Sequence, residues 1–194
     1  LHYDINLNLY DHIKSFKGKT SVKFKVLKPN LNFVKLNIET VKVISVYEKN
    51  RKLSFTQKNG LLRINPKRSI SKNEVLTYTI FYNSEGKVSD PTKFGMNVLL
   101  GLGFFDKSDD NPNLAQTHSF PTGARHWFPS NDHPADKATS RISTTVRSDW
   151  KVLANGLLTD KSVNQDSVTY TWDLDLPNST YLYVMVAGPF EVIN

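Results

Sequence analysis

Apolar and polar residues alternate with a period of two through most of this chain, and no window of 11 or more residues carries a 3.6-residue apolar period. Strands are therefore the regular element it can form. Tyr3, Ile5, Leu7 and Leu9 alternate with Asp4, Asn6 and Asn8, as in a half-buried strand. Asp11 to Lys19 reads as a turn closed by Gly18, followed by a strand in which Val22, Phe24 and Val26 alternate with Lys23 and Lys25 until Pro29. Phe33 to Ile38 and Val41 to Tyr47 are further β-prone runs. Leu53 to Phe55 and Leu61 to Ile64 fit a hairpin about Asn59-Gly60, because that pair tolerates the positive φ angles of a type I′ turn. In Glu74 to Tyr82, Leu76, Tyr78, Ile80 and Tyr82 share one face while Val75 and Phe81 lie on the other, which predicts burial on both sides, as in a sandwich.

Arg141 to Arg147, Lys151 to Ala154, Ser167 to Leu174 and Tyr181 to Ala187 continue the series. Asn155-Gly156 reads as a second hairpin turn, and Pro177 separates the last two strands. Strands punctuated by turn residues in this way predict an all-β fold. The expected architecture is β-sandwich-like, with two packed and mostly antiparallel sheets. Residues 1–194 contain neither internal repeats nor low-complexity linkers, so one domain is expected.

Charge narrows the partners. There are 25 Lys and Arg against 18 Asp and Glu, a net +7, but the lysines are scattered among acids with no run of five like charges. A solvated surface is expected rather than a nucleic-acid groove. With no cysteine, no disulfide framework supports the fold. No apolar stretch approaches the roughly 18 residues of a membrane-spanning helix, and no signal-peptide pattern opens the chain. It begins with Leu1 rather than Met, which reads as a processed product or excised domain. An exported parent whose leader is missing and a cytoplasmic parent both stay open. Gly101 and Gly103 lack the third glycine and following helix of a dinucleotide fingerprint. Asp106, Asp109 and Asp110 lack calcium-loop spacing, so Asp106 to Asn113 is expected to be a solvated loop, as is turn-rich Asn83 to Thr92.

Leu114 to Ser140 is the densest stretch of unusual residues. Pro129 and Pro134 exclude a regular strand or helix interior and push the residues before them towards extended backbone. Trp127 to Lys137 is thus expected to be a shaped corner anchored by Trp127 and Phe128. Asp132 and Asp136 suit Asx-type turns, and Arg125 offers a fork of donors to a carboxylate or free carbonyls.

The run ARHWFPSNDHPADKAT, Ala124 to Thr139, resembles the A-R-x-W-F-P-C-x-D-x-P-x-x-K-A signature of the amino-terminal domain of M1-family zinc aminopeptidases, gluzincins of the aminopeptidase N and leukotriene A4 hydrolase type. Arg125, Trp127, Phe128, Pro129, Asp132, Pro134 and Lys137 carry the match, and Ser130 stands where the family commonly has Cys. HYDINLNLYD at the start, FKGKTSVKF at Phe16 to Phe24, Leu36-Asn37, Val152 to Leu157 and NSTYLYVMVAG at Asn178 to Gly188 resemble further family segments, in the family's order. The resemblance implies a saddle-shaped amino-terminal β-domain that packs on a catalytic domain absent from this chain.

Zinc chemistry in that family needs H-E-x-x-H on one helix and a downstream Glu. None of His2, His12, His118, His126 and His133 stands in such a motif, so neither a catalytic residue nor a metal ligand is expected here, and zinc would belong to the parent's catalytic domain. Nothing nominates Ser119 or Ser130 as an activated nucleophile. The resemblance does imply a share in peptide binding, because a family loop just before the signature places a Gln or Glu near the substrate's α-amino group. The matching segment is Ala115 to Gly123, where that position falls on or close to Phe120, with His118 two residues earlier and Gln116 earlier again. Phe120 offers only a ring face, worth about 1 kcal/mol to a cation. Gln116 is the preferred acceptor. Two other readings stay open, an M1-like interaction module without peptidase activity and a free-standing binding β-sandwich.

Overall fold

The computed structural model describes residues 1–28, 31–84, 100–109 and 112–191. The strands are β1 (His2–Tyr10), β2 (Ser15–Lys25), β3 (Val34–Asn37), β4 (Val41–Glu48), β5 (Arg51–Lys58), β6 (Leu61–Asn65) and β7 (Val75–Ser84). They continue as β8 (Gly101–Phe105), β9 (Leu114–His118), β10 (Ala138–Arg147), β11 (Lys151–Ala154), β12 (Leu157–Val163), β13 (Ser167–Asn178) and β14 (Met185–Gly188). Among the described residues the only helical pieces are short 3-10 turns such as Ala124–His126 and Thr180–Leu182. The chain is all-β, as its alternation predicts.

Two sheets form. The larger has ten strands in the order β12-β13-β10-β1-β2-β7-β4-β5-β6-β3, and the smaller four in the order β11-β14-β9-β8. Pairing is antiparallel except between β1 and β10, where Tyr3 faces Ser140 and Leu7 faces Thr144 in parallel register. One continuous cluster of buried side chains joins the sheets, including Ile5, Leu7, Tyr78 and Ile80 from the larger and Ala115, Val152, Met185 and Ala187 from the smaller.

The Asn59-Gly60 hairpin forms as expected, with φ of 52° and 73° and Lys58 opposite Leu61. Other expectations need correction. Gly18 lies inside β2, not at a turn, because Tyr82 on β7 packs over it: a Cβ there would sit 2.2 Å from the Tyr82 ring. β7 is buried on one face only, since Val75 is 55% and Phe81 37% exposed while Leu76, Tyr78, Ile80 and Tyr82 are buried. The second sheet covers only one side of the first. Asn155-Gly156 makes no hairpin, because β11 pairs with β14 and β12 with β13, so the turn carries the chain between sheets. The stretch from Tyr181 to Ala187 begins in a 3-10 turn, and only Met185 onward is strand. Pro29 and most of Asn83 to Thr92 lie outside the described residues, as does part of Asp106 to Asn113.

Candidate functional site

β9 runs directly into the Pro-bracketed corner. Ala115 to Gly123 is expected as loop, but its first part belongs to the strand Leu114–His118, between β14 and β8, with Gln116 opposite Val186 and Gly103. Period-two geometry turns Ala115 and Thr117 into the core and leaves Gln116 exposed on the outer face, with His118 half-buried. His118 Nε2 is shielded from solvent with no hydrogen-bond partner among the described residues.

Beyond β9 the chain closes tightly. Gly123 N donates to Ser119 O at 2.6 Å, and a Cβ on Gly123 would lie 2.0 Å from His118 O, so only glycine fits this approach. Ser119 Oγ donates to Tyr183 O at 2.6 Å and accepts from Trp127 Nε1 at 3.1 Å. Its hydroxyl is committed to structure. Phe120, preceding a cis Phe120-Pro121 bond, is 55% exposed and meets Tyr181 edge-to-face at 5.9 Å.

The signature residues build the corner itself. Trp127 and Phe128 are fully buried, with rings 4.5 Å apart, and Phe128 stacks on Tyr183 at 5.9 Å. Phe128 also meets the edge of Tyr3, tying the corner to β1. Arg125 Nε donates to Asp132 Oδ2 at 2.8 Å, while Thr180 Oγ1 donates to Asp132 Oδ1 at 2.8 Å. Asp132 therefore joins two segments rather than capping an Asx turn. The Asp136 carboxylate likewise accepts from the Asn131 side-chain amide, at 2.6 Å. Buried Pro129 precedes Ser130, whose backbone bridges Asn37 in both directions. Ser130 Oγ, fully buried, has no partner among the described residues. Pro134 O accepts from Ser179 Oγ at 2.5 Å, and Lys137 is exposed.

The histidines do not converge. His126 is buried, with Nε2 3.5 Å from Glu39 Oε2 and Nδ1 3.4 Å from Thr40 Oγ1, while His133 Nδ1 accepts from Ala135 N. Among the described residues no three His, Cys, Asp or Glu side chains come together to hold a metal. The donors here do not fit zinc. Two contributors escaped the sequence reading, Tyr181 beside Phe120 and Tyr183 beneath Phe128; the alternation in Tyr181-Leu182-Tyr183 was the available signal.

Surface chemistry near β9 is apolar. Leu182 is 45%, Val184 47% and Leu153 49% exposed. The arrangement offers an exposed amide and an aromatic edge beside an apolar face. It can position a bound group.

The model of the Peptidase M1 N-terminal domain family matches residues 1–182. Aminopeptidase M1 of Arabidopsis thaliana is 32% identical over 108 residues, which are 52% of this chain and 12% of that protein. Leucyl aminopeptidase of Saccharolobus solfataricus is 26% identical over 191 residues, 98% of this chain and 22% of that one. An M1 zinc metallopeptidase from Deinococcus radiodurans, solved as a variant bound to a Tyr-Ser-Ala substrate, superposes with a TM-score of 0.85 at 24% identity, covering 98% of this chain and 42% of that one. The chain thus spans under half the length of these relatives.

Proposed function

The chain belongs to the M1 peptidase N-terminal domain family, and we propose that it is the non-catalytic amino-terminal unit of a zinc-dependent aminopeptidase, packed on a catalytic domain and bordering its peptide pocket. The observation that carries this reading is the apolar face beside β9. Phe120, Leu182, Val184 and Leu153 are each about half exposed next to a rigid corner, an arrangement that favours burial against a second apolar surface. Zinc and its activated water belong to that second domain, since this chain has no H-E-x-x-H and its described histidines stand apart.

Gln116 would meet the substrate's amino terminus. Its exposed amide stands on a strand rather than a mobile loop, so its carbonyl oxygen would be held in place to accept from an ammonium. His118 lies on the same strand face two residues further on, with its Nε2 shielded from solvent, and Phe120 with Tyr181 lines that edge. An unblocked amino terminus is then selected by a dipolar acceptor.

The test is hydrolysis of amino-acid amidomethylcoumarins by this chain and by the longer reading frame that contains it, each with and without a zinc chelator. Chelator-sensitive activity confined to the longer protein is the expected result. Activity in neither would replace this reading with an interaction module, and activity in the 194-residue chain would overturn it.

A further inference from the structure

The face of the larger sheet turned away from the smaller one is organised as a groove, and from its chemistry we infer a binding site for an acidic polysaccharide, a chain of carboxylate-bearing sugars. The inference is independent of the peptidase reading and concerns the opposite face of the sheet from the shared core.

Strand register builds the groove. Thr171, Ser143, Asn6, Lys19, Phe81 and Ser45 stand side by side across β13, β10, β1, β2, β7 and β4. One step along the strands, Thr145, Asn8, Lys17 and Asn83 form a second row. Five inter-strand spacings of about 4.8 Å make the first row roughly 24 Å long. Two cavities follow it, of about 620 Å³ and 540 Å³, and they share Lys19, Ser45 and Phe81.

The lining defines the ligand. Lys17, Lys19 and Lys49 line the two cavities, and among the described residues no carboxylate does. Neither Lys17 nor Lys19 forms an ion pair among the described residues, whereas the nearby Arg141 and Arg147 are committed to Asp173 and to Asp149 and Asp11. An anion entering the groove therefore meets ammonium groups not neutralised by a described carboxylate, Lys17 resting over the Tyr10 ring at 5.7 Å. The remaining polar groups are amides and hydroxyls, which both donate to and accept from sugar hydroxyls. Phe81, 37% exposed and held edge-to-face against Tyr47 at 5.9 Å, supplies an apolar surface for the C–H face of a sugar ring.

Other polyanions fit less well. The groove crosses a sheet face whose backbone groups are already spent on strand ladders, so an extended acidic peptide would find no main-chain partner. Among the described residues it contains no arginine, the side chain best matched to phosphate, which disfavours nucleic acid.

The experiment titrates the 194-residue chain by calorimetry with oligogalacturonate, with maltooligosaccharide of the same length, with polyglutamate and with oligothymidylate. Oligogalacturonate is expected to bind at least tenfold more tightly than the other three, with affinity falling as salt rises. Lys17→Gln/Lys19→Gln should weaken it about tenfold and flatten the salt dependence, and Phe81→Ser should weaken it with the salt slope retained. Both variants alter exposed positions, and unchanged circular dichroism melting confirms that they fold. No binding of oligogalacturonate, equal binding of the neutral sugar, peptide or oligonucleotide, or indifference to both variants would each overturn the assignment.

Discussion

Arg125 and Asp132 close the corner on itself: the guanidinium Nε lies 2.8 Å from a carboxylate oxygen whose side chain is only 1% exposed. The second carboxylate oxygen takes the Thr180 hydroxyl, so one buried anion joins the corner to the segment leading into β14. Asp132→Ala should cost about 3 kcal/mol, because it leaves Arg125 partly buried without its counter-charge. Thr180→Val should cost about 1 kcal/mol. Urea unfolding of both variants, read by tryptophan fluorescence, measures the difference; equal effects would mean that the charge pair is not what holds the corner.

Ser130 is expected to be a weak point. Its hydroxyl is buried with no described partner at the position where the resembled signature has Cys. Replacing it with Ala or Cys removes an unsatisfied polar group at little cost in volume, so each should stabilise the chain by about 1 kcal/mol. A lower melting temperature in both variants would count against this account.

Gly18 and Tyr82 should behave as one unit. Gly18→Ala places a methyl inside the Tyr82 ring position and should destabilise by about 2 kcal/mol. Tyr82→Leu on its own also loses the 2.9 Å contact to Thr20 Oγ1. The double variant should cost clearly less than the sum of the two, and strict additivity in a double-mutant cycle would refute the steric coupling.

Much of this was legible beforehand. Alternation at Tyr3 to Leu9 and Leu76 to Tyr82 identified the inward residues correctly, because a strand's faces are fixed by its period. It did not say which sheet a strand joins. Asn155-Gly156 has hairpin chemistry, yet Gly156 is required for another reason: a Cβ there would lie 2.0 Å from Asp173 O on β13. β12 left no trace, since an edge strand exposed on both faces needs no alternation. At the candidate site the aromatic anchors were readable from composition. The placement of Gln116 on a strand was not, because a single outward polar residue among small ones looks the same in a loop.

Alkali should unfold the chain in a defined window. Burial pushes the Tyr183 and Tyr78 phenols up to about 12, and those of Tyr3 and Tyr82 higher still. The folded values lie above the ordinary one near 10, so the stabilisation is complete below about pH 10 and lost as pH rises towards 12. The tyrosinate absorbance of these four phenols should appear together with loss of circular dichroism rather than before it. Titration of those four near pH 10 in a still-folded chain would contradict the burial.

In the longer protein, Gln116→Ala should raise KM for substrates with a free amino terminus roughly tenfold, the loss of about 1.4 kcal/mol of binding. Phe120→Ala should have a smaller effect. Neither should shift the melting temperature of the isolated chain by more than about a degree, since both side chains are exposed. Unchanged kinetics in the Gln116 variant would take Gln116 out of the amino-terminus site.

The parallel pairing of β1 with β10 sets an order on biogenesis. His2 to Asn8 lie in the middle of the larger sheet, yet one of their two neighbours is Thr139 to Thr145. Synthesis must therefore pass Thr139 to Thr145 before β1 can be enclosed on both edges. Until then β1 can pair only with β2, leaving one edge open to misdirected pairing. Chaperone occupancy should consequently peak on nascent chains that stop short of residue 138 and fall once β10 has emerged.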